Sequence, residues 1–157
     1  MDTQGRHLLV EYHGCDGAVL NDLECIKQVM LDAAKAAKAH VVASVFHPFT
    51  PQGVSGVVVI EESHLSIHTW PEKGYAAVDF YTCGDCLPED ADAALRTALN
   101  PQRIESMMIT RGLNDHDQSA SMRVEKHPIE KRTRRQRHRD SQHASLSTDA
   151  WPQSTSA

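Results

Sequence analysis

The sequence predicts an α+β fold: an antiparallel β-sheet with two helices packed on one face and the other face buried against a second copy of the chain. Three observations lead there. The apolar pattern changes period along the chain in the order β-α-β-β-β-β-α-β, so two helices flank a run of adjacent strands. Both helical stretches are amphipathic, so each has a face to bury. The strands carry Val, Ile and aromatic residues on both parities, so the sheet face away from the helices also needs cover, which a second copy of the chain would supply.

The first strand runs from His7 to Tyr12 through Leu8, Leu9 and Val10 and stops at Gly14. Asn21 followed by Glu24 reads as a capping box opening a helix. Beyond it, Ile26, Val29, Met30, Ala33, Ala34 and Ala37 recur at helical spacing, with Lys27, Lys35 and Lys38 solvated on the other side. Val41 to Phe46 is β-branched and strand-like, and the loop His47–Pro48–Phe49–Thr50–Pro51 follows. After the central hairpin, Gly74 opens a strand that reaches Cys83. Pro88 suits the first turn of a second helix, where Glu89, Asp90 and Asp92 meet the positive end of the dipole; Ala94, Leu95, Ala98 and Leu99 form its apolar stripe. Ile104 to Thr110 makes a last strand, stopped by Gly112.

The central hairpin organises the chain. Val57 to Ile60 is a β-branched run suited to a buried strand. From Ser63, Leu65, Ile67 and Thr69 fall on one parity and His64, Ser66, His68 and Trp70 on the other. With Glu61 and Glu62 as the two turn residues, Ile60 faces Ser63, and counting back puts Ser55 opposite His68. That register predicts a hydroxyl beside an imidazole, both close to the Glu62–Ser63 peptide bond. Glu-Glu is poor chemistry for a tight hairpin, which favours Gly or Asn at positive φ. A local inconsistency next to a hydroxyl and an imidazole marks a functional site.

Bulk properties bound the function class. A chain of 157 residues allows one domain with a proper core. Residues 1–113 hold 8 Lys/Arg against 15 Asp/Glu, whereas residues 114–157 hold 8 against 6. An acidic body speaks against nucleic acid as a partner and suits a cationic ligand. The first residues have no apolar signal core and no run approaches transmembrane length, so no membrane is expected and a cytoplasmic protein with free thiols is. From Asn114 the composition turns to Ser, Gln, His, Arg and Thr with little that is apolar. This predicts a domain over 1–113 and a disordered, basic and polar tail over 114–157. The basic run from Lys131 to Arg139 could touch nucleic acid or anionic lipid; a solvated tail is the reading adopted.

The run Glu62–Ser63–His64–Leu65–Ser66–Ile67–His68–Thr69–Trp70–Pro71–Glu72, with Phe49 to Gly56 before it and Tyr81–Thr82–Cys83–Gly84 after it, closely resembles the bacterial S-adenosylmethionine decarboxylase proenzymes. The resemblance spans about residues 5–112, with no departure at the reactive positions. It implies two protomers stacking their sheets into an αββα sandwich, dimerising with a site near the interface, and a proenzyme that cuts itself between Glu62 and Ser63. The fragments would hold 62 and 95 residues, the second capped by a pyruvoyl group made from Ser63. In that scheme Ser63 attacks the Glu62 carbonyl, Ser55 hydrogen-bonds the oxyanion, and His68 removes the α-proton. The pyruvoyl ketone then forms a Schiff base with the substrate amine and accepts electrons as carbon dioxide leaves, and Cys83 returns a proton. No metal or pyridoxal phosphate is expected.

For S-adenosylmethionine, with its sulfonium and adenine, Phe49 and Trp70 are the stacking candidates, Glu72 the ribose carboxylate and Glu11 a further contact for the cation. Decarboxylated product would feed spermidine synthesis. Two other readings stay open: a pyruvoyl-dependent arginine or ornithine decarboxylase, and an uncleaved homologue with a binding or regulatory role. Cys83–Gly84–Asp85–Cys86 has zinc or redox spacing but lacks a second ligand pair. Cys15, Cys25 and Cys86 read as thiols without a task, and His64 as structural.

Overall fold

The computed structural model describes residues 3–113 and 119–131. Its strands are β1 (Gly5–His13), β2 (Val41–Pro48), β3 (Val54–Ile60), β4 (Ser63–Trp70), β5 (Tyr75–Thr82), β6 (Arg103–Leu113), β7 (Ala120–Lys126) and the short β8 (Glu130–Lys131). The helices are α1 (Gly17–Asn21), α2 (Leu23–Ala36) and α3 (Pro88–Leu99). The strands lie side by side in the order β2-β3-β4-β5-β1-β6-β7, β8 pairs with β6, and every pairing is antiparallel. The α+β class, an antiparallel sheet with helices packed on one face, is the one predicted. Among the described residues, no helix is long and apolar enough to cross a membrane.

Alternation decides which sheet face the helices cover. Leu8, Val10 and Tyr12 of β1, Val58 and Ile60 of β3, Leu65 and Ile67 of β4, and Val78 and Phe80 of β5 are buried against Ile26, Met30, Ala33 and Ala34 of α2 and Leu95 and Leu99 of α3. One polar group in this layer is tied down completely. Asp92, expected to serve the α3 dipole, turns inward instead. It accepts from the Tyr12 hydroxyl at 2.5 Å and from Arg96 Nε at 2.8 Å. Burial first, and then the Asp92 charge, push the Tyr12 phenol well up.

Two sequence expectations give way here. Helix α2 is capped by Asp22, whose side chain accepts from Cys25 N at 3.0 Å, and not by Asn21. Asn21 ends the short α1, so Asp22 is the first extended residue and the one free to cap. The second concerns the boundary at 113. The sheet continues beyond it, because β7 pairs with β6 from Met107↔Lys126 to Leu113↔Ala120. All seven β7 residues are exposed, so ladder hydrogen bonds and not burial hold this strand, which is why an apolar pattern does not reveal it. The basic run beyond Lys131 lies outside the described residues.

Among the described residues, none covers the other face. Val45, Val57, Val59, Met122 and Val124 are exposed on it. Between them stands a polar belt in which His7 lies 3.6 Å from Asp79 and the Ser66 hydroxyl donates to Asp79 at 3.0 Å. His7, against the penalty of burial, holds the Asp79 carboxyl below its ordinary range. His64, half-buried beside His7 and Tyr81, is pushed down by burial and then by His7.

Candidate active site

The turn of the β3–β4 hairpin confirms the predicted register, with Ile60↔Ser63 at the loop and Ser55↔His68 further along. Among the described non-glycine residues only Lys38, Ser63 and Asn100 have positive φ, so neither turn glutamate adopts the conformation a tight primed turn needs. The strain falls on the next residue: Ser63 has φ 150, in the region that favours glycine. Such a backbone costs about 1–3 kcal/mol and persists only where its surroundings enforce it. Here backbone contacts do so. Glu61 N donates to His40 O at 2.9 Å, and Cys83 N donates to Glu62 O at 2.9 Å. The carbonyl that Ser63 would attack is thus polarised by the amide of Cys83.

A cavity of about 920 Å³ opens at this end, lined by Arg6, Glu61, Glu62, Ser63, Cys83 and Asp85. The half-buried Cys83 thiol lies 3.4 Å from the Tyr81 hydroxyl, and this contact is the main cause of a raised Tyr81 phenol pKa. The Arg111 guanidinium sits 4.2 Å from the Tyr81 ring centroid. Tyr81 reaches this position by lying over Gly5, where any Cβ would collide with its ring. All four cysteines are free thiols; burial raises Cys15 to about 11 and is also the first cause of a raised Cys86.

The other end of the hairpin holds a second cleft, of about 510 Å³, lined among others by Phe49, Gln52, Ser55, His68, Trp70 and Glu72. Ser55 Oγ and His68 Nδ1 are 2.7 Å apart. Gln52 donates to Glu72 at 3.0 Å, leaving Glu72 exposed at the rim. Phe49 stands edge-on to His47, with ring centroids 5.0 Å apart, and Trp70 stacks on Tyr75 at 5.1 Å. The cleft floor is fixed from the covered side. Val54 N donates to Thr69 Oγ1, which donates on to Leu20 O, and Gly53 N donates to Asn21 Oδ1.

Glu11 does not line this cleft. It accepts from the Tyr75 hydroxyl, so it touches Trp70 only through the tyrosine, whose phenol burial and Glu11 push up to about 12. Ser55, His68, Ala77, Glu11 and Glu105 nevertheless stand in one row across the uncovered face.

The predicted site therefore splits in two. Ser55 and His68 are neighbours as expected, but they are not close to the Glu62–Ser63 bond. His68 is five residue steps along an extended strand from Ser63, a distance of roughly 17 Å at about 3.3 Å per step. Counting register correctly placed the pair beside each other, and ignoring the rise per residue misplaced it relative to the turn. Ser63 and Cys83 lie at the turn end of the β3–β4 hairpin; Phe49, Ser55, His68, Trp70 and Glu72 lie at the other.

A family model described as S-adenosylmethionine decarboxylase matches residues 6–112. The chain belongs to that family. It is 52% identical over 114 residues to the S-adenosylmethionine decarboxylase proenzyme of Clostridium tetani, covering 72% of this chain and 90% of that one. The proenzyme of Pelotomaculum thermopropionicum is 53% identical over the same shares. The crystal structure of the adenosylmethionine decarboxylase from Aquifex aeolicus superposes with a TM-score of 0.68 at 36% identity, covering 76% of this chain and 99% of that chain.

Several residues around this decarboxylase-family site are not apparent from sequence. Tyr81 and Arg111 belong to distant strands, and nothing in their spacing announces that they meet beside Cys83. Tyr75 is visible only as one member of an alternating strand. His40 was readable in principle: a turn with unsuitable residues needs outside support, and the register puts Val41 opposite Ile60, next to that turn. One donor atom each from His40, Glu61 and Glu62 lies within 4.8 Å of the others. A direct bond from the imidazole to Glu62, 3.1 Å from Nδ1 to Oε1, accounts for this cluster.

Proposed function

We propose that the chain is a self-processing, pyruvoyl-dependent S-adenosylmethionine decarboxylase that works as a homodimer. The observation that carries the reading is the strained Ser63 beside a Glu62 carbonyl already hydrogen-bonded by Cys83 N. Ser63 Oγ attacks that carbonyl carbon and the amide becomes an ester. His68 takes the α-proton of residue 63, and elimination releases the Glu62 carboxylate. The dehydroalanine left behind takes up water, loses ammonia and becomes the pyruvoyl group. That group would supply the conjugated carbonyl that draws electrons as the substrate carboxylate leaves. Cys83, whose thiol is half-buried against Tyr81, returns a proton to the α-carbon.

A second copy reconciles the two ends. Two uncovered faces stacked about a two-fold axis that lies across the strands bring the Ser55–His68 row of one protomer over the Ser63–Cys83 end of the other. Each dimer then holds two composite sites, and the exposed Val45, Val57 and Val59 become buried. Phe49, Trp70 and Glu72 would meet the adenosyl part of the substrate from the partner side. A cytoplasmic location fits this chemistry.

Intact mass measurement and carbon dioxide release test the reading together. The expected result is two chains split between Glu62 and Ser63, releasing labelled carbon dioxide from S-adenosylmethionine. An unbroken chain would favour the non-catalytic homologue, and release from arginine or ornithine instead would favour the other decarboxylases.

A further inference from the structure

We propose that His40 is a positioning residue for the self-cleavage step, acting as a clamp that holds the Glu61–Glu62 turn in its reactive geometry. The inference rests on the self-processing reading above and adds a residue outside the reacting set. His40 meets the turn at three points. Its carbonyl accepts from Glu61 N at 2.9 Å, its own N–H donates to Glu62 Oε2 at 3.3 Å, and its ring Nδ1 lies 3.1 Å from Glu62 Oε1. Both turn residues are therefore tied to one residue in the connection between α2 and β2.

The position of His40 is itself built. Helix α2 ends in a reversal in which Lys38 adopts φ 62, Lys38 N donates to Lys35 O and Ala39 N donates to Ala34 O. The residue after that reversal is His40, and β2 starts immediately behind it. The packed end of α2 thus delivers a fixed anchor beside the turn. The hairpin needs one, since Glu-Glu at negative φ cannot by itself close a tight turn and the next residue is strained.

Anchoring the Glu62 side chain and the Glu61 amide leaves the Glu62 carbonyl to be aimed by Cys83 N. Glu62 is then gripped on both sides, by His40 at its carboxylate and by Cys83 at its carbonyl. The electrostatics agree with a charge-assisted bond. The Glu62 carboxylate raises the imidazole pKa; at Glu62, burial would push the carboxyl up, but the bonds from His40 and the backbone outweigh it and lower it.

The full-length chain is made by cell-free synthesis, and loss of the unbroken form is followed by intact mass. Because positioning errors are costly in rate, His40→Ala should slow cleavage about threefold to tenfold, the ring being exposed and both bonds from the His40 backbone surviving. His40→Asn, which returns an N–H donor near the position of Nδ1, should recover most of the rate. In the Glu62→Ala background, His40→Ala should add little. Once cleaved, His40→Ala should decarboxylate at the wild-type rate per pyruvoyl group, which separates a clamp from a general structural defect. Cleavage of His40→Ala at the wild-type rate overturns the clamp, and so does a His40→Ala effect that persists in full without the Glu62 side chain. A wild-type chain that never cleaves overturns the self-processing reading instead, and with it this proposal.

Discussion

The two ends of the β3–β4 hairpin are held in opposite ways. At the end carrying Ser55, His68 and Trp70 the backbone is regular and the side chains make the arrangement, with Ser55 bonded to His68 and Trp70 stacked on Tyr75. At the turn the backbone makes it: Ser63 is strained, and amides and carbonyls of His40, Glu61, Glu62 and Cys83 hold one another. Side chains suit a region that must recognise a substrate and move protons. Backbone bonds suit a region where the reacting bond is itself part of the chain. The second end contains the bond that the proposed self-cleavage would break.

That contrast ranks the expected effects of substitution. Ser63→Ala should be all-or-none, leaving a single 157-residue chain with no decarboxylation; cleavage in this variant, seen by intact mass, would remove the nucleophile assignment. Cys83→Ala should separate the two roles of its residue. Its backbone N–H still reaches Glu62 O, so cleavage should proceed, while the lost thiol should slow carbon dioxide release by about 100- to 10,000-fold, the usual range for a proton-transfer group. An unimpaired steady rate would take Cys83 out of catalysis.

At the other end, Ser55→Ala should slow the appearance of cleaved chains by about 100- to 1,000-fold, as loss of an oxyanion donor does. A normal cleavage time course would assign Ser55 only to holding His68. The smallest effect belongs to the covered layer. Tyr12→Phe removes one partner from the buried Asp92, and denaturant unfolding should show a loss of roughly 1–3 kcal/mol with cleavage unaffected. A change in the processing rate there would mean that the helix-covered layer communicates with the turn.

Much of this was legible in the sequence for a physical reason: strands write their faces into alternate residues, and a hairpin turn then fixes the pairing. Ser55 opposite His68 and the turn at Glu61–Glu62 follow from that rule alone. What alternation does not carry is distance along the strand, and so the pair lies five residues from the bond it was expected to neighbour. Nor does it carry lateral order. The insertion of β1 between β5 and β6, which brings Tyr81 and Arg111 together beside Cys83, is a tertiary choice with no local signature. The exposed β7 has no apolar period to read, and α1 is too short to reveal that Asn21 ends a helix instead of capping one.

The split between the two ends makes one claim that a single measurement can decide. Chains carrying His68→Ala and chains carrying Ser63→Ala, each uncleaved when made alone, are co-expressed and the mixed dimers analysed by intact mass. A site assembled from two protomers predicts that the His68→Ala chain, with Ser63 intact and a partner supplying His68, is now cut after Glu62 and the mixture gains decarboxylase activity. If both chains stay whole in a dimer proven to be mixed, the two ends do not meet across an interface and the composite site is wrong.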